Sequence, residues 1–171
     1  MNTQELPECV EAASALKPVL ADLPPKIVAI GGRPGSGKTS LGRYLAWQFN
    51  VSLIETDLFL NDGQGKIVYR NDEIARVIDK RLKKPAPVIV EGVVILRLLA
   101  ALDRPADFTI YVSNENAPET RLADEIAAYE AEHTPLQRAD LRLDLSRSFK
   151  RIEDEAARAL IARPKWPELE G

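Results

Sequence analysis

Along the chain, short unbroken apolar runs alternate with stretches in which apolar residues recur every three or four positions. The runs "KIVAI" (26–30), "VSLIET" (51–56), "PVIVE" (87–91) and "DFTIYV" (107–112) predict four strands. They lack polar alternation, which is how strands covered on both faces read. The periodic stretches predict helices. Residues 5–22 place Leu6, Val10, Ala13, Leu16 and Leu20 on one face, and the prolines at 24–25 end that helix. Lys38–Phe49 carries Leu41, Leu45 and Phe49 on its apolar side, and Asp72–Lys83 carries Ile74, Val77, Ile78 and Leu82 before Pro85 closes it. Residues 58–70, with two glycines among polar groups, predict a loop, and a short apolar helix runs from the third strand to about Leu102. Beyond the fourth strand only helix is expected, first over 117–132 and then, capped by Thr134 with Pro135 behind it, out to Ala162.

Strand and helix in alternation imply an α/β protein with a parallel sheet covered by helices on both faces. In such sheets ligands sit at the carboxyl ends of the strands. The chain's 171 residues, 45% of them hydrophobic, suit one domain with a proper core. A formal net charge of -3 and a pI near 5.4 argue against a nucleic-acid partner. The stretch 87–102 is broken by Glu91 and Arg97 and is too short to span a bilayer. Acids from Glu5 onward, with no basic segment leading into an apolar one, do not read as a signal peptide. The lone Cys9 cannot form an internal disulfide, so a soluble cytoplasmic protein is expected.

The stretch "IGGRPGSGKTS" (30–40) crowds four glycines against a lysine and the two hydroxyls that follow it, between the first strand and the helix after it. "GRPGSGKT" matches the P-loop pattern of two glycines four residues apart followed by lysine and a hydroxyl. The candidate nucleotide-binding residues are therefore Gly32, Arg33, Pro34, Gly35, Ser36, Gly37, Lys38, Thr39 and the adjoining Ser40. Glycines let successive backbone N–H groups turn inward on an anion, and the helix N-terminus adds its positive end. Lys38 supplies a charge for the β- and γ-phosphates, and Thr39 an oxygen for magnesium. The competing reading is a glycine-rich turn with a solvated lysine. Two carboxylates arrive at the same sheet edge. Glu91, ending the third strand, either holds magnesium with Thr39 or caps the next helix. Asp57, ending the second, is either a general base for an attacking hydroxyl or a turn-forming aspartate.

The leading helix, "IVAIGGRPGSGKTSLGRYLA", the aspartate after the second strand, "PVIVEG" and "ADFTIYV" together resemble the P-loop kinases of the uridine kinase, phosphoribulokinase and pantothenate kinase group. The similarity covers roughly residues 5–125. It implies a three-layer P-loop NTPase fold with strand order 2-3-1-4, a fifth strand remaining open. It also implies ATP- and Mg²⁺-dependent transfer of a phosphoryl group to a hydroxyl of a small metabolite such as a nucleoside, a sugar or a pantothenate-like compound. In that group several arginines follow the fourth strand and close over the phosphates. Here "ETRLADEIAAY" keeps Arg121, a candidate for steadying the transferring charge, and places Asp124 and Glu125 where further arginines are expected. Arg138, Arg142, Arg147 and Arg151 either form a lid or lie on a solvated helix face paired with Asp140, Asp144 and Glu155. After the second strand, "DLFL" keeps Asp57 and Phe59 without the group's second acid or tyrosine.

Tyr69 and Arg70, closing the loop after Asp57, either contact substrate or are merely exposed. Trp47 and Phe49 are expected in the core, and His133 in a structural or surface role. Two competing functions stay open: a nucleotide-dependent regulatory switch, and a toxin-like kinase acting on a nucleotide sugar or a protein. Neither nucleic acid nor membrane is an expected partner, and the oligomeric state is open.

Overall fold

The computed structural model describes residues 6–61 and 66–148. Helix α1 (Pro7–Val19) precedes strand β1 (Ile27–Gly31), which leads through the glycine-rich loop into α2 (Lys38–Phe49). Strand β2 (Ser52–Glu55) runs into a 3₁₀ turn, Thr56–Phe59, and the chain then passes through α3 (Asn71–Lys83), β3 (Val88–Gly92), α4 (Ile95–Ala101) and β4 (Phe108–Ser113). Helix α5 (Ala123–His133), the one-turn α6 (Pro135–Arg138) and β5 (Leu141–Asp144) complete the described elements.

The five strands form one parallel sheet in the order β2-β3-β1-β4-β5. Alternate residues of each central strand serve opposite layers. Ile27 and Ala29 of β1, with Val88 and Val90 of β3, pack against α3, α4 and α5 through Ile74, Ile78, Leu98 and Ile126. Val28, Ile30 and Ile89 face the other way, against Leu16 of α1 and Leu41 and Leu45 of α2. Most of these side chains are fully buried. Each contributes roughly 1.5–3 kcal/mol of transfer free energy, which secures the sheet between its two helical layers.

Three expectations are corrected. Residues 141–144 form an edge strand, not helix. Leu141, Leu143 and Leu145 alternate with Arg142 and Asp144, and Leu143 and Leu145 are buried while Arg142 and Asp144 are exposed. That period of two is the strand signal, and it extends the order to five strands. Helix α5 begins at Ala123, not at 117, with Thr134 in a left-handed conformation (φ 44°) joining it to α6 and no side-chain cap bond. Trp47 is 74% exposed on the outer face of α2 and so is not a core residue. The expected helix beyond 148, with Arg151, lies outside the described residues. Among the described residues, no helix is long and apolar enough to cross a membrane.

Candidate active site

The glycine-rich loop springs from the carboxyl end of β1, the middle strand of the five. Gly32 has φ 152°, and a Cβ there would collide with the backbone carbonyl of Val112 on β4. Only glycine fits a backbone so close to the neighbouring strand. Gly37, at φ 97°, turns the chain into the first residue of α2. Lys38 begins that helix, is buried, and donates from Nζ to the Arg33 carbonyl at 3.0 Å, so its ammonium lies back across its own loop. Burial lowers the Lys38 pKa, and the charges of Glu91 and Asp57 oppose that shift.

Next to it, the Thr39 hydroxyl donates to Glu91 Oε1 at 3.0 Å. Glu91 stands on β3 opposite Ile30 of β1 and Glu55 of β2, and it is 1% exposed. Burial raises its pKa, against the pull of Lys38 and the Thr39 bond. Its second oxygen, Oε2, is buried without a hydrogen-bond partner. A hydroxyl and a carboxylate side by side, with one carboxylate oxygen unsatisfied, suit a hard divalent cation. Magnesium in particular takes few protein oxygens and completes its octahedron with water and phosphate.

Asp57 lies in the 3₁₀ turn that β2 runs into, and it is exposed. It lines a cavity of about 490 Å³ together with Pro34, Gly35, Gly37, Lys38, Thr39 and Ser40. Leu60, Ile67, Tyr69, Val93, Thr120 and Leu122 complete its lining. One cavity thus brings together the loop, its lysine and threonine, and the aspartate. Gly32, Arg33, Ser36, Glu91 and Arg121 are not part of its lining, although Glu91 reaches it through Thr39.

Arg33 points elsewhere. Its guanidinium makes a bidentate pair with Glu130 of α5, at 2.9 and 2.6 Å, and Tyr111 donates to the same carboxylate at 3.2 Å. Its backbone alone serves the loop. Ser36 is buried with its hydroxyl unpartnered. Arg121 is exposed in the turn before α5, between Thr120 and Leu122, which do line the cavity. Arg138 lines a different cavity with Asp107 and Thr109 at the start of β4, at the other end of the sheet. Arg142 donates to the Gln137 carbonyl at 3.2 Å.

Several residues of this site are only partly legible in the sequence. Tyr69 is 9% exposed, and burial pushes its phenol up to about 12 against the opposing effect of the Thr56 hydroxyl. Thr56 is itself fully buried. Nothing in the spacing of "ETDLFLNDGQGKIVYR" shows that Leu60 and Tyr69 pair through an isolated antiparallel bridge, which folds the loop into the cavity wall. Arg70 does not line the cavity. It donates to the carbonyls of Leu58 and Leu60, at 2.8 and 2.9 Å, and so ties that loop together.

No protein-family model matches the chain. Among solved structures, the chain superposes on a possible uridine kinase from Bacillus stearothermophilus with a TM-score of 0.60, covering 80% of this chain and 100% of that one at 14% identity. The chain has the P-loop kinase fold. At that identity the likeness establishes the P-loop kinase fold alone. A shikimate kinase from Bacteroides thetaiotaomicron overlays with a TM-score of 0.36 at 14% identity, over 77% of this chain and 98% of that one. A shikimate kinase from Corynebacterium diphtheriae is 48% identical over 40 residues, which is 23% of this chain and 23% of that protein.

Proposed function

We propose that the protein is an ATP- and Mg²⁺-dependent phosphotransferase that acts on a hydroxyl of a small metabolite. The observation that carries this reading is the shared cavity, which Asp57 lines together with Lys38 and Thr39 and which a further, largely apolar set of residues extends as space for an acceptor. A nucleotide binder that only switched would need the loop and no such extension.

The backbone N–H groups of the loop and the start of α2 bind the β- and γ-phosphates of the donor. Lys38 gives up its bond to the Arg33 carbonyl and turns its ammonium onto the phosphates. Thr39 and the free oxygen of Glu91 would hold magnesium. That ion would supply charge neutralisation for the donor's phosphates when bound. Asp57 orients the acceptor hydroxyl and accepts its proton as the oxygen attacks the γ-phosphorus, whose bond to the bridging oxygen breaks to release ADP. The apolar wall of Leu60, Ile67, Val93 and Leu122 excludes water, which suppresses wasteful hydrolysis. Arg121 stands in the turn that would close over the transferring phosphoryl group.

Asp57→Asn tests the assignment, because the amide keeps the shape but cannot take the proton. With ATP affinity retained, phosphorylation of the accepted compound falls by roughly 10² to 10⁴. The measurement is ADP release and acceptor phosphorylation across nucleosides, sugars and pantothenate. A compound phosphorylated equally by both proteins removes Asp57 from the base role. Hydrolysis that no compound stimulates favours the switch, and growth arrest on expression that Lys38→Ala cures favours the toxin-like kinase.

A further inference from the structure

The peptide groups of Ile67 are held by a side-chain ion pair where a neighbouring strand would ordinarily hold them. Its N–H donates to Glu125 Oε2 at 2.9 Å, and its carbonyl accepts from Arg97 Nη2 at 3.3 Å. The same Arg97 nitrogen donates to Glu125 Oε1 at 2.7 Å, which closes the ring. One carboxylate and one guanidinium therefore mimic the acceptor and donor of an adjacent β-strand. Arg97 comes from α4 and Glu125 from the first turn of α5, so two helices meet on one residue of the loop.

The flanking segments 59–61 and 68–70 pair in antiparallel fashion. The Asn61 N–H donates to the Val68 carbonyl and the Arg70 N–H to the Phe59 carbonyl, both at 2.8 Å, with the Leu60–Tyr69 bridge between them. Ile67 and Tyr69, both buried, line the cavity. Arg97 and Glu125 do not line the cavity. Half-exposed ion pairs of this kind add little to stability by themselves. Removing either member, however, leaves a peptide group of a buried residue without its partner.

We propose that the Arg97–Glu125 pair is a positioning device for acceptor selection, fixing the Ile67–Tyr69 wall at the acceptor end of the cavity without touching the substrate. The inference rests on the kinase reading for its consequence in catalysis and on the hydrogen-bond ring for its mechanism. It also explains an acid at 125, where arginines would be expected in the resembling kinases. At that place Glu125 serves the loop that shapes the pocket, not the phosphates.

The test uses the full chain with Glu125→Ala and Glu125→Gln. The amide oxygen of Gln still accepts from Ile67 but loses the ion pair, so this variant should be intermediate. Amide hydrogen exchange at Ile67 quickens about tenfold or more in Glu125→Ala, the scale of one lost net hydrogen bond, and less in Glu125→Gln. For the compound phosphorylated from the panel of nucleosides, sugars and pantothenate, KM rises about tenfold in Glu125→Ala while kcat and the KM for ATP change by less than about threefold. Unchanged exchange at Ile67 overturns the proposal. So does a KM for ATP that rises in step with that of the acceptor, because a merely structural lesion loosens both ends of the cavity alike. If the parent protein phosphorylates no compound in the panel, the kinase reading fails, and the exchange at Ile67 alone decides whether the pair holds the wall.

Discussion

Glu91 has one carboxylate oxygen bonded to Thr39 and a second that is buried without a partner. An ionised group so placed is costly to the fold and is kept where a ligand will use it. Glu91→Gln removes the buried charge and keeps the size. Without nucleotide, the variant should melt at a higher temperature than the parent at pH 7, while its activity with Mg²⁺ and ATP collapses. Thermal melts beside activity assays check both halves, and a variant less stable than its parent and fully active would show Glu91 to be a cap for the helix that follows. Lys38 is the counterpart. Its nitrogen is buried against its own loop, and burial already lowers its pKa. Lys38 was legible from the P-loop spacing of "GRPGSGKT", and Glu91 from its place at the end of the apolar run "PVIVE". Thr56 was not, and Tyr69 only as a loop residue with two open roles, because their place depends on how an irregular loop folds back.

At the scale of elements, α5 joins the two sides of the site. Glu125 in its first turn holds the loop beside the acceptor wall, and Glu130 a little further on holds Arg33 of the glycine-rich loop. The Arg33 bond, with a smaller part from the Tyr111 hydroxyl, keeps the Glu130 carboxyl below its ordinary value of 4.5. A lowered acid favours the folded state above its unfolded pKa, and that contribution is lost as pH falls through the folded one. Acid titration of the melting temperature should therefore fall less steeply for Glu130→Gln than for the parent below about pH 4.5, with the curves separated by a constant offset at neutral pH. Parallel curves throughout would mean that the pair is not formed in solution. Strands β1 and β3 were readable because both faces of each are buried, which removes any helical period. Strand β5 was missed because "LRLDL" is short and lies among arginines and acids that fit a solvated helix equally well. The pairing of Arg97 with Glu125 joins residues from two helices, and no local pattern encodes it.

For the molecule as a whole, the order β2-β3-β1-β4-β5 places the phosphate loop at the middle of the sheet, with Asp57 arriving from one edge strand. Any ligand gripped there must add to global stability by mass action, not merely order a loop. An ATP analogue with Mg²⁺ at about a hundred times its Kd should stabilise the parent by about 2.7 kcal/mol. The same concentrations should do nearly nothing for Lys38→Ala, whose fold survives because the loop's backbone is set by Gly32 and Gly37 and not by the lysine. Equal stabilisation of parent and variant, followed by chemical denaturation, would place the nucleotide elsewhere.

The close approach of Gly32 to the Val112 carbonyl has a consequence for how the chain is made. On a ribosome the glycine-rich loop emerges early, but β3 and β4, the strands on either side of β1, emerge much later. Until Val112 is synthesised, the loop has no wall to rest on, and β1 is an apolar segment with both edges open. A nascent chain of that length exposes apolar surface and unpaired strand edges, and its nucleotide cannot yet rescue it. The motif read first in the sequence is thus among the last parts of the molecule to become competent.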